Sequence, residues 1–76
     1  MADIKNVELL TKIGLVLKEL RTKKGLTQAD VIADTGIHAG KLETAVSNMS
    51  VSTIYQLAEY FEIKLSDFFK LVEKQK

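Results

Sequence analysis

Cysteine is missing from all 76 residues, so neither disulfides nor thiolate ligands can supplement the packing of so short a chain. Its core must be hydrophobic, and the absence of thiols suits a reducing compartment. Proline is missing too, which favours uninterrupted helices over a turn-rich β sandwich. A single histidine, His38, cannot make a metal site. With no cysteine, no glycine-rich phosphate loop and no carboxylate pair on an evident pocket-forming scaffold, the chain does not read as an enzyme. No cofactor, metal or small-molecule ligand is implied. Long hydrophobic runs are lacking as well: the opening MADIKNVELL has no basic segment followed by an apolar stretch, and nothing approaches a membrane-spanning length. The expectation is a cytoplasmic protein with no membrane partner.

Charge of one sign is not in excess. Eleven Lys and Arg against ten Asp and Glu give a net charge of +1, weak beside strongly basic nucleic-acid binders. Distribution says more than the total: residues 1–41 carry seven basic and five acidic side chains, and residues 42–76 carry four and five. Any basic face therefore belongs to the N-terminal half.

What the chain does have is helical periodicity. Its length suits one domain over residues 1–76, with a single small core. Ile4, Val7, Leu10, Ile13, Leu17 and Leu20 recur three or four apart, forming one stripe of a long amphipathic helix. Gly25 stops it, and Arg21, Lys23 and Lys24 in the last turn oppose the negative end of the helix dipole. Thr27-Gln28-Ala29-Asp30 reads as an N-cap with an acidic residue three places on, opening a short helix to about Thr35, where Gly36 breaks it. A third short helix is expected from about His38 to Ala45, weakened by Gly40. Ser47, Asn48 and Ser50 mark a loop before a fourth helix whose stripe is Val51, Ile54, Leu57, Ala58 and Phe61. Ser66-Asp67 would cap a terminal helix carrying Phe68, Phe69, Leu71 and Val72, with residues 73–76 frayed. The expected class is all-α, a compact bundle of five helices.

A capped short helix, a glycine turn and a second short helix, set among longer amphipathic ones, is a helix-turn-helix over about residues 27–45. In such a unit the second helix enters the major groove while the first lays its N-terminus against a phosphate. Gln28 and Lys41 are the natural contacts.

Residues 13–69 resemble the XRE-type regulators that include Cro and the phage repressors. The likeness rests on Ile13-Gly14, on the ungapped run Leu17 to Gln28 (LKELRTKKGLTQ), on Lys41-Leu42-Glu43, and on Asn48 through Phe69 in register with the last two helices. It implies a lambda-repressor-like domain that binds double-stranded DNA. It further implies that Gln28 hydrogen-bonds a phosphate, that Lys41 points into the groove, and that Arg21 and Glu43 form a buried ion pair between the first and third helices.

The chain also departs from the family. About three residues are missing between the glycine turn and the Leu-Glu pair, which at ~1.5 Å per residue shortens the recognition helix by about 4 to 5 Å. Ile32 stands where the family favours alanine, and its bulk is expected to fill the space the missing turn vacates. Val46, Ser47 and Asn48 stand where the family often places cations on phosphates.

Several residues read in more than one way. His38 is a DNA contact or a plain helix-start residue, and Lys41 a groove contact or a solvated lysine. Lys23 and Lys24 are dipole partners or phosphate contacts. The candidate DNA-binding set is Lys23, Lys24, Thr27, Gln28, His38, Ala39, Gly40, Lys41, Thr44 and Asn48. Leu15 and Val16 sit where the family is usually polar, and Phe68, Phe69, Leu71 and Val72 are too many to face inward on one short helix. These six are the candidate homodimer interface, with extra core filling as the alternative for the aromatics.

The function expected is a sequence-specific DNA-binding transcriptional regulator, most simply a repressor or an antitoxin-like autoregulator. The competing reading is a protein-interaction module that keeps the fold but has lost DNA.

Overall fold

The computed structural model describes residues 6–44 and 49–75. Expectations for Ile4, Ala45, Val46, Ser47 and Asn48 lie outside the described residues. Among those described, the elements are α1 (Val7–Lys23), α2 (Gln28–Thr35), α3 (Ala39–Glu43), α4 (Val51–Tyr60) and α5 (Leu65–Lys74), with no strand.

Local hydrogen bonds explain where most of these helices begin and end. Asn6 starts α1 by accepting the Leu9 N–H on its side-chain oxygen at 2.9 Å. Past the other end, Gly25 adopts a left-handed φ of 71°, and the N–H groups of Gly25 and Leu26 return to the carbonyls of Thr22 and Arg21. The start of α2 is a reciprocal capping box: Thr27 Oγ1 accepts from the Asp30 N–H at 3.1 Å, and Asp30 Oδ2 accepts from the Thr27 N–H at 2.8 Å. Gly36, at φ 75°, closes it. Ser50, which reads as a loop residue in sequence, caps α4 by accepting the Thr53 N–H at 3.1 Å.

The start of α5 differs from expectation. Its cap is Lys64, not Ser66-Asp67, because the chain turns tightly at the end of α4. Glu62 takes a left-handed φ of 59°, and the Ile63 N–H returns to the Ala58 carbonyl at 2.9 Å, so α5 begins as soon as the turn is complete. Ser66 and Asp67 fall in its first turn, where a carboxylate complements the helix dipole. Glu73 and Lys74 are helical rather than frayed.

The core lies where α1 packs on both α3 and α5, α4 on α5, and α2 on α3. Phe68, Leu57, Val16, Val31 and Val72 are the largest of the fully buried side chains among the described residues. This overturns three candidate interface residues. Val16 is core because α1 has neighbours on two sides, which widens its buried arc beyond the stripe through Ile13 and Leu17. Phe68 and Val72, one turn apart, fill the same core from α5. Phe69 and Leu71 flank them, half-buried against the core, with the Phe69 ring edge-on to Phe68 at 5.4 Å. Leu15 does stay at the surface. Conversely Val7 and Val51, expected in buried stripes, stand 61% and 66% exposed at the first positions of α1 and α4. Ile32 is only partly buried, while Ile37 is one of the partly buried side chains packed against the core.

Candidate nucleic-acid interface

Backbone contact sets the place of α3. A Cβ on Gly14, in the middle of α1, would lie 2.8 Å from the carbonyl oxygens of both Leu42 and Glu43. The last turn of α3 therefore rests directly on the α1 backbone, at a distance no other residue type permits. Leu42 is buried beside it and Ala39 one turn earlier, so one side of α3 is committed to the core. Ala39 is thereby removed from the candidate contacts: its side chain is 5% exposed and faces protein.

A polar network then ties α1, α2 and α3 together. Arg21 Nε donates to Glu43 Oε2 at 2.7 Å, Arg21 Nη2 donates to Glu43 Oε1 at 3.1 Å, and Arg21 Nη1 donates to the Leu26 carbonyl at 2.8 Å. The Glu43 hydrogen bond raises the Arg21 pKa further, against the opposing effect of burial, so the guanidinium is charged at any working pH. Glu43 Oε1 also accepts from Gln28 Nε2 at 3.1 Å. The first residue of α2 is thus connected to the last residue of α3 and, through it, to α1.

On the outward side, Gln28, Lys41 and Thr44 are exposed, and Thr44 Oγ1 donates to the Lys41 carbonyl at 3.0 Å. His38 is exposed at the N-cap of α3 and makes no capping hydrogen bond with its side chain. Gly40 is half-buried beneath Gln28: a Cβ placed on it would lie 3.0 Å from Gln28 Oε1. Thr27 is bound up in the capping box. Lys23 is exposed at the end of α1, whereas Lys24 Nζ is engaged by Glu62 Oε1 at 2.9 Å, which ties it to the turn after α4. That lysine holds the Glu62 carboxyl below its usual range.

Two features escape sequence reasoning. The Tyr60 hydroxyl donates to the Asp34 carboxylate and so fastens α4 to α2, with no local pattern to announce it. The role of Gly14 does leave a signal: a glycine inside a strong helical pattern lowers helix propensity and points to a close approach.

A capped helix, a left-handed glycine turn and a short helix braced on a longer one define a helix-turn-helix protein. Residues 16–74 match the Cro/C1-type HTH DNA-binding domain, and the chain belongs to that family. No curated protein sequence matches it. Among the described residues, no helix is long and apolar enough to cross a membrane.

Proposed function

We propose that this chain is a cytoplasmic, sequence-specific DNA-binding transcriptional regulator that acts as a two-fold dimer, as a repressor or an antitoxin-like autoregulator. The observation that carries the reading is the Arg21–Glu43–Gln28 network, which holds the N-terminus of α2 and the exposed side of α3 in one rigid frame. In that frame Gln28 meets a phosphate at the N-terminus of α2, and Lys41 reaches toward base edges. His38, Thr44 and Lys23 supply flanking contacts, and each phosphate neutralised by a lysine adds about 0.9 to the log–log salt slope. Since α3 runs only from Ala39 to Glu43, base readout falls to very few side chains. A dimer binding two half-sites compensates for so short a probe. The apolar side chains left exposed for such an interface include Leu15, Val51 and Tyr55.

The test is selection from a random duplex library at low and moderate salt, with a Gln28→Ala, Lys41→Ala double variant alongside. An enriched palindromic site, lost in the variant, is the expected result. Salt-sensitive binding without enrichment removes sequence specificity. No binding at either salt overturns the reading in favour of a protein-interaction module on the same fold. Light scattering of the free protein and of the complex tests the dimer.

A further inference from the structure

Gly40 sits inside a helix of five residues, where glycine disfavours the helical state relative to alanine. Its φ is not among the positive ones, so no backbone requirement explains the choice. Space does. An added Cβ would lie 3.0 Å from Oε1, 3.4 Å from Cδ and 3.7 Å from Nε2 of Gln28, so the whole amide of Gln28 lies across α3 at this point.

The other side of that amide is fixed by Glu43. An ionised carboxylate only accepts hydrogen bonds, so the end of the Gln28 amide that meets Glu43 Oε1 at 3.1 Å must be the NH₂. Glu43 cannot swing away, because both its oxygens are held by Arg21 at 2.7 and 3.1 Å. One N–H of Gln28 Nε2 goes to Glu43, and among the described residues no acceptor takes the second, which is left for an outside acceptor.

We infer that Gly40 and Glu43 form a seat that presets the Gln28 side chain, in position and in amide orientation, for a phosphate oxygen of DNA. Gly40 is thus a positioning residue for DNA binding through the room it leaves Gln28. The inference rests on the proposed Gln28–phosphate contact. A seated side chain has already lost its rotamer freedom, so binding need not order it again.

The experiment compares the wild-type chain, Gly40→Ala, Gln28→Ala and the double variant, by fluorescence anisotropy on the selected duplex and by thermal melting. Gly40→Ala is expected to melt no lower than wild type while binding about 2- to 12-fold more weakly, the range for re-ordering one flexible side chain. In the Gln28→Ala background the same substitution is expected to have no effect on affinity. Unchanged affinity in Gly40→Ala, or an equal loss in both backgrounds, overturns the seat. If Gln28→Ala alone binds like wild type, it is the phosphate contact that fails. A readout independent of DNA completes the test: NMR relaxation of the Gln28 side-chain amide is expected to show a rigid group in the wild type and a mobile one in Gly40→Ala. Equal mobility in the two overturns the seat whatever the DNA result.

Discussion

Arg21 and Glu43 meet in a paired contact, Nε to Oε2 at 2.7 Å and Nη2 to Oε1 at 3.1 Å, with side chains only 11% and 5% exposed. The pair joins α1 to the end of α3, with both side chains largely shielded from water. Removing one member leaves the other charged and enclosed. Arg21→Ala or Glu43→Ala should therefore lower the unfolding free energy by about 3 to 5 kcal/mol, measured by urea titration. Replacing both by apolar residues, Arg21→Met with Glu43→Leu, should recover most of the loss. A single-variant loss under about 1 kcal/mol would mean that the pair is effectively solvated.

Gly14→Ala offers a test of how α3 is seated. Alanine raises helix propensity by ~1 kcal/mol in an open helix. Here its methyl carbon would meet two backbone carbonyl oxygens at 2.8 Å, and backbone has no rotamer by which to move aside. A net destabilisation of about 1 to 3 kcal/mol is expected, read as a lower thermal midpoint, with α3 displaced outward and DNA affinity reduced. A midpoint at or above wild type would show that α3 is not held at this point.

Acid should weaken the fold through the capping box. The Thr27 N–H and then the Thr27 hydroxyl hold the Asp30 carboxyl below its ordinary range. Because the folded value lies below the unfolded one, this contribution is present above roughly pH 4 and is lost as pH falls through the depressed value. Stability measured across that range should fall less steeply in Asp30→Asn than in the wild type. Thr27→Ala, which removes the other half of the box, should lower stability by about 1 kcal/mol at neutral pH.

Alkali acts through a different tie. The hydrogen bond to Asp34, aided by partial burial and by the charges of Asp34 and Asp30, pushes the Tyr60 phenol up to about 12. A folded value above the unfolded one near ~10 gives a contribution that is whole below ~10 and lost as pH rises through the folded value. Denaturant midpoints should fall more steeply over this alkaline interval for the wild type than for Tyr60→Phe. Identical slopes would mean that the α2–α4 tie does not survive in solution.

The helices themselves are legible in the sequence wherever a local hydrogen bond defines an end. Thr27 with Asp30, and the glycines at 25 and 36, mark their boundaries because the partners lie within a few residues. The start of α5 was not legible, since the turn that sets it depends on Glu62 taking a conformation that its residue type does not advertise. Burial was legible only in part. Periodicity identifies Leu10, Ile13 and Leu17 as inward, but Val16, Phe68 and Val72 read equally well as surface until the neighbours of α1 and α5 are known. In the candidate interface, Gln28 and Lys41 stand out by motif position, whereas the burial of Ala39 and the role of Gly40 do not.

Taken alone, the sequence determined an all-helical chain, the order of its helices, most of their ends and its membership of a helix-turn-helix family. These follow from hydrogen bonds and hydrophobic spacings that span one or two turns. Only the tertiary structure decided which apolar side chains form the core, how closely α3 lies on Gly14, and where the Gln28 amide is held. Such features rest on partners far apart in the chain, 22 residues from Arg21 to Glu43 and 15 from Gln28 to Glu43, and side chains so distant meet only once the helices have packed.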